Sequence, residues 1–390
     1  MTEATCTENA KVGLSKKYKF GFILSTSLGN ITRYKNFRKF AELDQEIDFV
    51  WAPVKHYISP GERDPFAFFP GPIRKRAIVL YQSAPVLREF GSFDAVMIHM
   101  YEVDALTALR SYIRAKPLRI VSSDDAPAVD PSTYPMHPVD LKKPAWQHKV
   151  RLKIDVWRAR RADFSIPFSR WAGGLIEAAA GVPPDKIKPI HVGLDLNIWR
   201  YQPRARRDSG ERVKLLFVGG EFERKGGFDL LAAFERSLSR STELHLVTKT
   251  APTDLPDNVY VHADLNANDE RLTQLYRDAD IFVHPTRSDL SPWVVLEAMA
   301  SGCPVVTTRV GGIVDLVIEE ETGFFAPVGD PAQLAVAIER LVADPVLREK
   351  MGERSRGLVE RDFDASINVP AILRTMKELV DQRRASFGIG

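Results

Sequence analysis

Two hydrophobic rhythms alternate along the chain. Short runs rich in β-branched and aromatic residues recur at Phe20–Ser25, Asp48–Trp51, Ala95–His99, Arg119–Ser122 and Phe164–Pro167. They return at Lys214–Val218, Glu243–Thr248, Val259–His262, Ile281–His284 and Pro304–Thr307. Between them lie segments whose apolar positions recur at helical spacing, such as Phe228–Leu238, Asp269–Arg277 and Trp293–Ala300. The short runs predict buried strands and the longer period predicts amphipathic helices. Their steady alternation predicts an α/β fold, with parallel sheets covered by helices on both faces.

One polar stretch, residues 201–212 (Tyr-Gln-Pro-Arg-Ala-Arg-Arg-Asp-Ser-Gly-Glu-Arg), interrupts the alternation and reads as a linker. The chain thus divides into an N-terminal Rossmann-like domain (1–200), a C-terminal one (201–366) and a last helical segment (367–390). That segment carries Ile372, Leu373, Met376, Leu379 and Val380 on one face, suited to crossing back onto the N-terminal domain. Two such domains face each other across a cleft, and ligands bind beyond the carboxyl ends of the strands.

Composition narrows the function classes. Hydrophobic residues at 44% and charged residues at 27% exclude a disordered chain, and a net charge of +3 is too small to argue for nucleic acid. The two cysteines, Cys6 and Cys303, form no disulfide framework, which fits a reducing, cytoplasmic compartment. The apolar stretch Phe20–Leu24 is too short for a signal sequence, and no run approaches the ~18 apolar residues of a membrane span. Contact with a membrane, if any, is peripheral and on its inner face.

Two segments carry candidate chemistry. The first is residues 218–227 (Val-Gly-Gly-Glu-Phe-Glu-Arg-Lys-Gly-Gly), set between a strand and a helix. Gly219 and Gly220 let the backbone approach a ligand, helix-end amides attract anions, and Arg224 and Lys225 add two cations suited to a diphosphate. It lacks the Gly-Lys-Ser/Thr ending of the ATPase phosphate loop and the Gly-x-Gly-x-x-Gly spacing of dinucleotide folds. A Gly-rich turn bearing a solvated Arg-Lys pair has the same residues. The second segment runs from His284 through Asp289, Leu290, Ser291 and Pro292 into the helix that carries Glu297. Its two carboxylates, on the loop and one turn inside the helix, suit hydroxyl-rich ligands, because each accepts hydrogen bonds from vicinal diols. An Asp cap and a surface Glu would give the same pattern.

Residues 289–306 (Asp-Leu-Ser-Pro-Trp-Val-Val-Leu-Glu-Ala-Met-Ala-Ser-Gly-Cys-Pro-Val-Val), followed by Gly311-Gly312, resemble the signature of glycosyltransferase family four. The glycine loop ending in Lys225-Gly226 and the turn at residues 190–199 are similar to that family as well. The resemblance covers the C-terminal half firmly and the N-terminal half loosely. It implies a GT-B fold and retaining transfer of a sugar from a nucleotide diphosphosugar to an acceptor hydroxyl on a glycan, a lipid or a small molecule. It further implies that Lys225, helped by Arg224, holds the donor diphosphate and that Glu297 binds the ribose hydroxyls. Asp289 would face the transferred sugar, and the amides around Leu290 and Ser291 would touch sugar or β-phosphate. Asp289 stands where the family has Glu, and Gly220 where it has Arg.

On the N-terminal side, Gly29 and Asn30 follow the first strand in a loop suited to close over the donor phosphates, or in a plain strand-to-helix turn. Asp124 takes the place of a family His near the sugar, and His99 ends another strand. Asp124 and Asp125 are adjacent acids, but there is no clear Asp-x-Asp donor motif on a strand end of this fold and no His/Cys cluster, so neither a metal nor another cofactor is expected. Three phenylalanines and three cations crowd residues 64–76, and eight Lys or Arg residues with two tryptophans occupy residues 142–161. The first mixture suits a membrane interface and both segments suit a hydrophobic or anionic acceptor, while core packing also accounts for the first aromatics and a solvated helix face for the second run. Two other functions are compatible with the same residues: a sugar-nucleotide epimerase of this fold, and a non-catalytic scaffold built on a donor-site domain.

Overall fold

The computed structural model describes residues 17–27, 30–59, 61–99, 101–110, 117–123, 144–201, 211–266 and 269–387. The first sheet holds β1 (Tyr18–Ser25), β2 (Ile47–Val54), β3 (Ala95–His99), β4 (Leu118–Val121) and β5 (Phe164–Ser165). All its pairings are parallel, in the order β2-β1-β3-β4-β5. The accompanying helices are α1 (Asn30–Ala41), α2 (Gly71–Gln82), α3 (Ala84–Arg88), α4 (Tyr101–Arg110), α5 (Ala145–Arg160) and α6 (Arg170–Ala180). Side chains alternate across the pleat. Phe20 and Phe22 of β1 face Phe37 and Phe40 of α1, while Ile23 faces Val79 of α2 and Val86 of α3.

The second sheet holds β6 (Val213–Val218), β7 (Thr242–Val247), β8 (Val259–Val261), β9 (Ile281–His284), β10 (Val305–Thr308) and β11 (Gly323–Ala326). It too is parallel, ordered β11-β10-β9-β6-β7-β8. Its helices are α7 (Gly227–Ala233), α8 (Glu270–Asp278), α9 (Trp293–Ala300), α10 (Pro331–Ala343) and α11 (Pro345–Asp362). Leu215 and Phe217 pack toward α7 and α10, and Leu216 and Val218 toward α8, α9 and α11. The α/β architecture with two parallel sheets is thus as the hydrophobic rhythm predicts. Strand β11 escaped that reading, and β5 stops short of Pro167, whose ring removes the backbone donor that a ladder needs.

The last helix, α12 (Ala365–Ser386), leaves the second sheet and packs on the first. Val369, Ile372, Leu373, Met376 and Val380 join the core around Phe20, Phe22 and Phe37. Polar bonds fix its register: Tyr18 donates to Asp381 at 2.8 Å, Lys377 reaches Asp44 and Glu46 at 2.7 Å each, and Arg384 meets Asp94 at 2.9 Å. The chain therefore passes between the sheets around residues 191–200 and again at 362–365. The two passages are bonded to each other, Leu194 N to Phe363 O at 2.8 Å and Ala365 N to Leu194 O at 2.9 Å. Gly193 at this junction has φ +84, and a Cβ there would strike the Phe363 carbonyl, so the close approach requires glycine.

Helix α1 ties the first sheet to the same junction. Asn36 donates to Gly193 O at 3.3 Å, Lys39 pairs with Asp195, and the Arg33 guanidinium lies 4.0 Å from the Phe168 ring and 5.6 Å from that of Trp293. Across the cleft, Trp171 N donates to Asp315 at 2.8 Å. Among the described residues no helix is long and apolar enough to cross a membrane.

Candidate active site

Strands β6 and β9 are neighbours, so the loops leaving their carboxyl ends lie side by side. The first loop, residues 219–226, enters α7; the second, residues 285–292, enters α9. Gly226 closes the first with φ +78, and any Cβ there would collide with the Pro285 carbonyl oxygen of the second. Arg224 braces the pair, donating to Ser288 O at 2.6 Å and making a two-pronged bond to Glu221 at 2.8 and 2.9 Å. Arg287 N returns a bond to Arg224 O at 2.9 Å, and its guanidinium holds Asp229 at 2.7 Å.

This bracing brings together the two residues that sequence reasoning singled out separately. Lys225 Nζ forms an ion pair with Asp289 Oδ2, and both side chains are largely buried. Burial lowers the Lys225 pKa, and the Asp289 charge opposes that shift. Burial alone would raise the Asp289 carboxyl, but Lys225 and the hydrogen bond from His284 outweigh it and hold the group well below the usual carboxylate range. His284 Nε2 lies 3.1 Å from Asp289 Oδ2. Burial keeps its imidazole below the ordinary value, against the pull of Asp289, so the ring is neutral near pH 7 and donates through Nε2.

Glu297 lies a turn inside α9 and is buried. Tyr276 of α8 donates to its Oε2 at 2.9 Å, yet desolvation prevails and pushes the carboxyl up to about 7. A carboxyl so placed changes charge near neutrality, and its remaining acceptor sites suit a diol. Gly219 leaves room for the Lys225 side chain, since a Cβ would come within 3.0 Å of its Cγ, whereas Gly220 faces open space. The Leu290 carbonyl accepts from Gly312 N at 2.7 Å, and Ser291 Oγ lies 3.2 Å from His191 Nε2. The structure thus gathers Gly219, Gly220, Arg224, Lys225, Asp289, Leu290, Ser291 and Glu297 at one end of the second sheet. Gly29 and Asp124, with Asp125, lie outside the described residues. His99 sits at the end of β3 with its ring 5.3 Å from Phe168. Sequence reasoning missed His284, Tyr276 and His191. His284 ends a strand five residues before Asp289, which is a readable signal; Tyr276 sits on the apolar face of α8 and gave none.

Residues 212–344 match the family described as Glycosyl transferases group 1. A glycogen synthase from Mycobacterium tuberculosis is 31% identical over 223 residues, which is 54% of this chain and 53% of that protein. The chain therefore matches about half the length of this curated relative. Among solved structures, a sucrose-phosphate synthase from Thermosynechococcus elongatus superposes with TM-score 0.74 at 18% identity, covering 94% of this chain and all of the other. The Anabaena protein HepE in complex with UDP-glucose superposes with TM-score 0.64 at 16% identity, covering 95% of this chain and 100% of the other. These likenesses carry the fold, and the family match carries the domain that holds the site. Residues 212–344 thus match a glycosyl transferases group 1 domain, set in the two-sheet GT-B architecture.

Proposed function

We propose that this chain is a retaining glycosyltransferase that moves a sugar from a nucleotide diphosphosugar to an acceptor hydroxyl. The observation that carries the reading is the buried Lys225–Asp289 pair, with His284 behind it and Glu297 a turn inside the following helix, at the carboxyl end of the second sheet. As the glycosidic bond breaks, negative charge develops on the departing diphosphate. Lys225 is placed to meet that charge in a desolvated setting, where a fixed cation stabilises it far more than water would. Asp289 pairs with the Lys225 ammonium. When a donor binds, phosphate oxygens compete for the ammonium and Asp289 turns toward the sugar hydroxyls. Glu297, once ionised, accepts from the ribose diol. The diphosphate oxygen takes the acceptor proton on the face it leaves, so the configuration is kept without a side-chain base, and the reaction uses no metal ion. HepE, of the same fold, is seen with UDP-glucose, which supports a uridine diphosphosugar as the first donor to try.

The test is transfer or hydrolysis of radiolabelled uridine, guanosine and adenosine diphosphosugars by wild type and Lys225→Ala. Loss of a bond to a charged group costs roughly 1.5–3 kcal/mol, so the variant should turn over at least about tenfold more slowly. Equal turnover removes Lys225 from the reaction. An epimerase would invert a carbon of the donor's sugar without transfer, and a scaffold would leave every donor intact.

A second observation concerns where the acceptor is met. Phe68 is 76% exposed with its ring 4.2 Å from that of Phe69, and Ile73, Lys75 and Arg76 are exposed beside them on α2. On α5, Trp146 is 64% exposed, and it shares a helical stripe with exposed Val150 and Ile154 among Lys149, Arg151 and Lys153. Helix α4 lies between α2 and α5 and packs against both. Apolar side chains left in water among cations fit an anionic bilayer surface, where each cation contributes about 1 kcal/mol. The chain is thus proposed to work peripherally on the inner face of a membrane. It should sediment with phosphatidylserine vesicles at low salt, and Lys75→Glu with Arg76→Glu should release it. Failure to sediment leaves a soluble acceptor.

A further inference from the structure

The entrance to α9 lacks one donor. Its N-cap is Pro292, which has no N–H and makes no side-chain cap bond. The residue before it, Ser291, is buried, with its Oγ 3.2 Å from His191 Nε2. The other ring nitrogen of His191, Nδ1, accepts a hydrogen bond from Gly193 N–H at 2.9 Å. A neutral imidazole carries one proton. With Nδ1 accepting, that proton resides on Nε2, and Nε2–H donates to Ser291 Oγ. The serine oxygen is thereby engaged as an acceptor, and its own hydrogen is left to point elsewhere. Among the described residues Ser291 Oγ has no other partner.

The imidazole itself cannot swing away. Its ring is flanked by Trp293 at 5.5 Å, Phe363 at 5.3 Å and Phe168 at 6.3 Å, and the backbone carbonyl of His191 accepts from Asn368 at 2.8 Å. A second donor without a partner stands beside it: the indole N–H of Trp293, a residue only 8% exposed. A buried donor left unmatched is costly, so two of them at one helix entrance call for an acceptor-rich ligand.

The geometry points to His191 as a positioning residue that fixes Ser291 as a hydroxyl donor to a phosphate oxygen of a nucleoside diphosphate, replacing the amide that Pro292 cannot supply. This rests on the donor-site reading above. Because His191 belongs to the passage between the two sheets, the donor phosphate would also be tied to that passage through Ser291.

Calorimetric titration of the full chain with UDP, GDP and ADP tests the assignment. Ser291→Ala should weaken the best binder about tenfold, as should His191→Phe, which keeps the ring contacts and loses the N–H. The double variant should be no weaker than either single one. His191→Gln, whose amide N–H can reach the same hydroxyl, should regain most of the affinity. Unchanged binding in Ser291→Ala, or losses that multiply in the double variant, overturns the assignment. Imidazole ¹⁵N spectroscopy of the wild type reads the tautomer itself. It should show His191, identified by the signal lost in His191→Gln, protonated at Nε2 alone; a proton at Nδ1 near pH 7 overturns it as well. Lys225→Ala separates the two readings. If Lys225 matters and Ser291 does not couple to His191, only the His191 assignment falls; if Lys225 does not matter, the donor site itself falls.

Discussion

A buried carboxyl poised near neutrality gives the site a pH dependence with a definite sign. The Glu297 pKa is raised from 4.5 to about 7 by desolvation. A ribose diol needs the ionised form as acceptor, so nucleotide affinity should rise as pH climbs through about 7 and then level off. Titration of the nucleotide across pH 6 to 8 checks this, and Glu297→Gln should flatten the curve. Stability runs the other way: a carboxyl raised in the folded state favours folding at low pH, and that benefit fades as pH rises from 4.5 past 7. Glu297→Gln should therefore melt higher than wild type at pH 8 and show little gain at pH 5. A separate prediction divides the two acids. Asp289→Ala should weaken nucleotide-sugar binding more than nucleoside diphosphate binding, whereas Glu297→Ala should weaken both alike; calorimetry with UDP-glucose and UDP separates them. Lys225, Asp289 and Glu297 were legible because a motif fixes their spacing. Their contacts were not. That Asp289 pairs with Lys225, 64 positions earlier, depends on β6 and β9 being neighbours, which no local pattern reveals.

At the scale of elements, the hydrophobic rhythm located the strands well and their ends less so. β11 was missed because Gly323-Phe-Phe-Ala is short and begins with glycine; its pairing with β10, not its own propensity, makes it a strand. The turn between β6 and α7 shows how strictly one loop constrains the next. Gly226→Ala would combine a left-handed backbone with a collision at Pro285, and should cost at least about 1–3 kcal/mol while splaying the Lys225 loop. Denaturant titration gives the cost, and nucleotide binding should fall by more than stability alone explains. The end of the chain carries comparable weight. Ile372→Ala in α12 removes a fully buried side chain and should destabilise the protein by about 2–5 kcal/mol, measured by urea unfolding.

On the scale of the whole molecule, the order in which the parts become available follows from where α12 lies. One face of the first sheet is covered by a helix whose Asp381 bonds to Tyr18 across a separation of 363 residues. A ribosome delivers β1 through β5 first and that cover last. Throughout synthesis of the second sheet, Phe20, Phe22 and Phe37 lack their final partners, and the nascent N-terminal half is an incomplete globule with apolar surface exposed. The second sheet draws its core from its own helices together with Leu194, Trp199 and Phe363 of the two passages, all of which precede α12, and is under no such delay. The half made second can thus finish folding before the half made first, and until α12 emerges the early half is the natural client of a chaperone.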